Sequence, residues 1–196
     1  TIMSYFEMYE KYIFAGLFEY SVYLNCFKSR DFCKSIFDNN KGEVGISLNQ
    51  LLAYRTIHAQ AGLMIANELS NWHNPAKVNL YIKAYGLEID MYSSADIHDL
   101  DVLWQIRHSI AHNAATISKP DAQKLEMLHN FGSRTIIFKN NFIFELVKRM
   151  HSIVFGATTR IHNAITENLS ADISSEDKGK IDTFFKIESP ISIWLR

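Results

Sequence analysis

The chain has 196 residues, of which 47% are hydrophobic and 21% charged, with 8 Gly, 3 Pro and a formal net charge of −1. That composition supplies enough apolar side chains for one sizeable core and excludes collagen-like, low-complexity and disordered classes. The near-neutral charge also excludes a domain held to nucleic acid by a broad basic surface, while leaving room for a local site that handles one or two phosphates.

Helical periodicity dominates the chain. From Ser4 to Asn25, the residues Phe6, Tyr9, Ile13, Leu17, Tyr20 and Leu24 recur every three or four positions, and Phe14, Phe18 and Val22 widen the stripe. The spacing predicts a helix that is apolar over more than half its surface, as a central or interface helix is. Glu19 and Asn25 interrupt the run, so no membrane span is expected, and the segment lacks the basic start and small-residue cleavage site of a signal peptide. A second helical segment runs to Phe37, and Asp38 to Gly42 reads as a loop. Cys26 and Cys33 share a face of a continuous helix but stand too far apart for a bridge. They read as two buried thiols of a reducing, cytoplasmic compartment.

Ser47 is a good N-cap for a helix from Leu48 to Trp72, with Leu48, Leu52, Ala59, Leu63, Ala66 and Leu69 as its stripe and Asn74-Pro75 as its end. A shorter helix is expected from Ala76, stopping by Gly86. Ser93 and Ser94 open a loop, and Asp96 can cap a further helix whose early acids, Asp99 and Asp101, suit the macrodipole. Leu100, Leu103, Trp104 and Ile106 make this helix apolar as it approaches Arg107. Pro120 and Asp121 mark a boundary before a helical stretch from Ala122 to Leu128. Thr135 to Phe138 is the single strand-like run, followed by a turn at Lys139 to Asn141. A last long helix is predicted over Phe142 to Asn168, with Ile143, Val147, Met150, Val154, Ala157, Ile161 and Ala164 as its stripe. The tail from Ser170 is polar but carries Phe184-Phe185 and Ile191 to Leu195, so it is expected to pack. The whole reads as all-α: one domain over residues 1–196, an antiparallel bundle of long helices with at most a short strand or hairpin near 135–142, and 170–196 as a packed C-terminal extension.

The chain has no glycine-rich phosphate loop, no Gly-x-Ser-x-Gly, no Cys-x-x-Cys and no His-Glu-x-x-His. His108 and His112 share a helix face at metal-ligand spacing, but no third ligand stands near them. The acids around His98 are explained by a helix start. No metal or cofactor is expected.

The informative segment is Trp104 to Asn113, where apolar residues alternate with Arg107, His108, His112 and Asn113. Arg is a permanent cation whose fork suits phosphate, and His titrates near neutral pH. The two types suffice for metal-free RNA cleavage: one takes the 2′-hydroxyl proton and the other stabilises charge on the phosphorus. On a straight helix, however, Arg107 and His112 lie about 140° apart. Either the helix breaks between them, or the Arg side chain wraps around, or a second subunit completes the site. Spacing alone favours a helix end whose Arg and His satisfy terminal carbonyls.

Ile106-Arg107-His108-Ser109-Ile110-Ala111-His112-Asn113 resembles the R-x4-6-H motif of the HEPN superfamily, in which a polar residue often follows the Arg, as His108 does here. The apolar helix before the motif, Asp121 and the helical stretch after it, and the later Gly132, short strand and long last helix are similar to the branch related to RNase LS and the RiboL-PSP group. The resemblance implies a bundle of four or more helices, usually dimeric, with the motifs of two subunits meeting in a cleft. It implies a metal-independent endoribonuclease acting as a toxin, in phage defence or in RNA processing, with RNA as substrate and a protein antitoxin as a candidate partner. Carried over, Arg107 binds the scissile phosphate, His112 acts as acid/base, His108 supports the pair and Asn113 is a weaker candidate for substrate binding. Ala114 stands where one branch of the family carries a modified Tyr, which argues against that form of regulation. Other members are non-catalytic modules for nucleotide or partner binding and dimerisation, and this is the alternative reading.

Overall fold

The computed structural model describes residues 2–40, 45–46, 52 and 60–194. The chain is mostly helical, as the periodicity predicts, with one short two-stranded antiparallel sheet. The described residues fall into two compact units. One comprises residues up to Met91 together with Phe155–Glu188, and the other comprises Tyr92–Val154 with the chain from Ser189 onward.

In the first unit, helix α1 (Ile2–Tyr20) is followed by a 3₁₀ turn at Ser21–Tyr23, so the predicted single helix to Asn25 ends earlier. Phe14 is fully buried at the centre of an aromatic cluster. Its ring lies 5.3 Å from Tyr85, 5.8 Å from Trp72, 6.2 Å from Phe32 and 6.3 Å from Tyr81. Several of these pairs meet edge to face, the arrangement that the ring quadrupole favours. Phe32 comes from α2 (Ser29–Asn39) and Tyr81 from a later helix, so one ring gathers residues distant in sequence. The Tyr85 hydroxyl donates to the Phe14 carbonyl at 2.9 Å, which satisfies the one polar atom the cluster carries inward at that point. Tyr5, Met8 and Tyr12 form an i, i+3, i+7 stripe of α1 that stays exposed.

Helix α3 (Ala61–Glu68) packs closely on α1. Gly62 allows this approach: a Cβ there would meet the Ala15 carbonyl oxygen at 2.5 Å, and its N–H donates to Glu19 Oε1 at 2.8 Å. The predicted cap at Ser47 and the start of the helix from Leu48 lie outside the described residues, and the described part ends at Glu68 rather than Trp72. Asn74-Pro75 opens a helix instead of merely closing one. Asn74 is the N-cap of α4 (Pro75–Lys83), its side chain accepting from the Lys77 N–H, and Pro75 sits where a missing N–H costs nothing. The cysteines are not a buried pair. Cys26 is half-buried in the turn after α1, where its thiol faces the Tyr85 carbonyl, and Cys33 is exposed on α2.

In the second unit, α5 (Ser94–His112) starts from a capping box. Ser93 is the N-cap and Asp96, expected as the cap, is the third helical residue that answers it. Strand β1 (Thr116–Ile117) pairs with β2 (Arg134–Thr135), so the strand lies one residue earlier than the apolar run Thr135–Phe138 and leaves Ile137 and Phe138 outside the ladder. Between them, α6 (Lys119–Ala122) and a 3₁₀ turn at Glu126–Phe131 replace the continuous helix expected from Ala122 to Leu128. Ile117, Ala122 and Leu128 form a small core that Val102, Leu125 and Ile136 complete. Helix α7 spans Phe142–Asn168 as predicted, and contributes its first half to this unit and its second half to the other. Met150, Val154, Ala157, Ile161 and Ala164 of its stripe are buried, whereas Ile143 at its start is exposed. In the tail, α8 (Ser175–Phe184) packs in the first unit through Ile181, with Phe185 buried beyond its end. The short α9 (Ile191–Trp194) sets Trp194 edge-on to His151 at 4.9 Å in the second.

Gly62→Ala is expected to lower stability by about 1–3 kcal/mol, because the new methyl meets backbone that cannot swing aside. Urea denaturation of the two proteins measures this.

Candidate functional site

Helix α5 does not break within the motif: Arg107 and His112 both belong to it. The early part of the helix buries Leu100 and Trp104, while toward its end Ser109 is fully buried. At about 100° per residue, Arg107, Ala111, His108 and His112 follow one another around the opposite side of that last stretch. All four are exposed. The separation of about 140° between Arg107 and His112 is thus the width of one solvent-facing arc, and its middle is held by the methyl group of Ala111.

The predicted residues do not all behave alike. His108 and His112 meet, with ring centroids 4.9 Å apart and planes tilted by 45°. Arg107 makes no hydrogen bond or ion pair among the described residues, in contrast with Arg149, which bonds Asp99, and Arg160, whose Nε and Nη2 donate to the Met91 carbonyl at 3.0 and 2.8 Å. The helix-end reading has Arg107 satisfy terminal carbonyls, and among the described residues it makes no such bond. Asn113 is already engaged. Its Nδ2 donates to Asp121 Oδ2 at 3.1 Å, so it braces the chain beyond the helix.

That brace is the part the motif does not show. Ser118 caps α6: its hydroxyl donates to Asp121 Oδ2 at 2.7 Å and accepts from the Asp121 N–H. Lys124 Nζ donates to Asp121 Oδ1 at 2.6 Å. The Lys124 ammonium and the Ser118 hydroxyl hold the Asp121 carboxyl below the usual carboxylate range. Ser118-x-x-Asp121 is a capping pattern that the sequence displays. The link from Asp121 back to Asn113 is tertiary and leaves no sequence trace. Between the two, Ala114 and Ala115 have φ of 49° and 60°, in the left-handed region that favours glycine. The Ser109 carbonyl accepts from both the Asn113 and Ala115 N–H groups at 3.0 Å, closing the helix over this strained pair. The Ser109 hydroxyl is buried without a partner among the described residues.

On the same unit, an open groove of about 550 Å³ runs between α5 and the first half of α7. Asp99 and Leu103 line its α5 wall, Phe142 and Leu146 the other, and Met127 closes it. Arg107 stands one turn beyond Leu103. His98, weighed as a ligand among its neighbouring acids, lies with its Nε2 at 2.7 Å from the Met127 sulfur. Burial raises the pKa of Asp101. Among the described residues, no three His, Cys, Asp or Glu side chains converge as metal ligands, and no helix is long and apolar enough to cross a membrane.

Compared with models of protein families, with curated proteins and with solved structures, the chain gives no match. A functional assignment therefore rests on its own residues.

Asp121→Ala is expected to cost about 1–3 kcal/mol at neutral pH, because it orphans Asn113 Nδ2 and removes the Lys124 pair. The folded-state pKa is lowered, so the stabilisation is present above the unfolded value and is lost as pH falls through the folded one. The stability gap between the two proteins should narrow in acid, as read by denaturant midpoints along a pH series.

Proposed function

We propose that the chain is a metal-independent endoribonuclease of HEPN type that cleaves RNA through attack of the 2′-hydroxyl on the adjacent phosphate. The observation that carries the reading is the arc at the end of α5: an exposed guanidinium without a partner among the described residues, and two histidines in ring contact, separated from it by one small residue. Arg107 binds the non-bridging oxygens of the scissile phosphate, where its permanent charge and planar fork meet the charge that grows in the transition state. Ala111 leaves it room to swing toward His112. His112 removes the 2′-hydroxyl proton, the 2′ oxygen bonds to phosphorus as the bond to the 5′ oxygen breaks, and the His112 imidazolium returns the proton to the leaving 5′ oxygen. The products are a 2′,3′-cyclic phosphate and a 5′-hydroxyl. His108 packs on the His112 ring and sets its orientation.

The proposal includes a homodimer, supported by the exposed Tyr5, Met8 and Tyr12 stripe of α1, which a symmetric contact would cover. It also includes a role as a prokaryotic toxin or defence protein, with a protein antitoxin as partner, carried by the motif resemblance. A dimeric mass by light scattering at micromolar concentration is the expected result, and a monomeric mass contradicts that part of the proposal.

Cleavage of total RNA should persist in EDTA and leave cyclic phosphate ends, read by resistance of the 3′ ends to ligation until the cyclic phosphate is opened and the phosphate removed. Loss of activity on chelation, restored by a divalent ion, overturns the mechanism. His112→Ala should lower the rate about a hundred- to ten-thousandfold with the fold intact. His108→Ala should cost less, on the order of ten- to a hundredfold. Arg107→Lys should fail as well, because a point charge does not reproduce the fork. If neither histidine variant changes RNA cleavage, the cleavage does not come from this motif, and the non-catalytic reading of the motif takes over.

A further inference from the structure

Phe131 to Phe144 differs from the rest of the chain. Its fourteen residues hold four Phe, the cations Arg134 and Lys139, and no acid, in a protein whose net charge is −1. Ile136 packs on the small core, but most of the segment's other apolar groups are not spent there. Ile137 is 86% exposed, Phe138 46%, Phe131 45% and Phe144 54%. Two of these rings are pre-set by neighbours. The Arg134 guanidinium lies over Phe131 at 5.8 Å, and Phe138 is stacked on Phe142 with centroids 4.3 Å apart. The segment is tied to the candidate site by backbone. The Ile136 N–H donates to the Ala115 carbonyl at 2.7 Å, three residues beyond His112, and Ile137 and Phe138 follow directly in the chain.

Exposed rings interleaved with cations, beside an exposed Arg, match the chemistry of a single-stranded polyanion with flat bases. The rings stack on bases of any sequence, and Arg134 and Lys139 sit where phosphates pass. The absence of acids over the whole stretch makes the charge complementary to RNA, whereas the chain as a whole is not. We propose that Phe131–Phe144 is a stacking platform that holds unpaired RNA and feeds the strand to Arg107 and His112. The platform deepens the ribonuclease reading and rests on it for the identity of the strand. It explains how a near-neutral protein grips RNA: affinity comes mainly from rings, with few phosphate contacts.

The test is fluorescence anisotropy with labelled 2′-O-methyl oligouridine, which binds but has no free 2′-hydroxyl to react, in parallel with cleavage of the ribo-oligomer. Wild type should bind the methylated strand. Phe131→Ala and Phe138→Ala should each weaken binding about fivefold or more, Phe138→Tyr should retain it, and Lys139→Ala should flatten its salt dependence by about one phosphate contact. Phe138→Tyr keeps the comparison meaningful if loss of the ring from its stack on Phe142 disturbs the fold. Unchanged binding in the Phe131→Ala/Phe138→Ala double variant overturns the platform. So does wild type that ignores the oligomer and binds phosphatidylserine vesicles, which would make the segment a membrane contact. Binding of the methylated strand without cleavage of the ribo-strand keeps the platform and removes the ribonuclease reading. Cleavage with ring variants that bind normally does the reverse.

Discussion

A helix has to close its last turn, and the closure of α5 is the constraint on which the candidate site depends. The Ser109 carbonyl takes two donors, from Asn113 and Ala115, and two alanines are forced into left-handed backbone to bring the second one back. Left-handed non-glycine residues each cost roughly 1–3 kcal/mol and persist only where the surroundings over-determine them. Here the surroundings are visible: Asp121 holds Asn113 on one side of the turn, and the β1–β2 pairing holds Thr116 on the other. Without that brace the chain would have no reason to leave the helix where it does, and the histidines would not stand on a free helix end.

The same closure explains why the motif face stays open. Immediately after His112 the chain turns away and enters β1, then α6 and the 3₁₀ turn, which build the small core of Ile117, Ala122 and Leu128. That core is covered by Val102, on the far side of α5 from Ala111, and by Ile136. The helix therefore spends its polar-looking end on solvent and its neighbouring positions on packing. Arg107 and the two histidines are exposed, and polar side chains cost little to leave in water.

How far the sequence discloses this differs from element to element. The 142–168 helix is legible to its ends because its stripe has one period and its start follows a turn of Asn residues. The pairing of His108 with His112 follows from an i,i+4 spacing, and the ring contact agrees with it. Asn74-Pro75 is ambiguous in sequence, since the same dipeptide ends one helix and starts another, and the structure assigns it to the start. The turn after the motif was opaque for a physical reason. Left-handed backbone is signalled by glycine, and here it falls on Ala114 and Ala115, which read as small spacers. The strand shifted for a related reason: Ile136 to Phe138 has the composition of a strand, but pairing is set by where Thr116 can reach. The thiols differ from expectation because a spacing of seven implies a common face only on an unbroken helix, and the helix is interrupted between Tyr20 and Ser29.

The proposed chemistry divides the work among residues by how strongly each is held. Arg149 and Arg160 are fixed by Asp99 and by the Met91 carbonyl, so their charges serve the fold. Arg107 has no such bond among the described residues and stands exposed beside the small side chain of Ala111. The histidines are intermediate: their rings restrain each other, while the helix beneath them is pinned by the Ser109 closure. A metal-free phosphate transfer needs that gradation. The group that follows the shifting charge has to be mobile, and the group that moves the proton has to be aimed within hydrogen-bond reach of one hydroxyl. Fixing Arg107 with a carboxylate would add little to stability at an exposed position and would remove the cation from the reaction. Its lack of a partner among the described residues, at the end of a braced helix, is the arrangement that the ribonuclease reading requires.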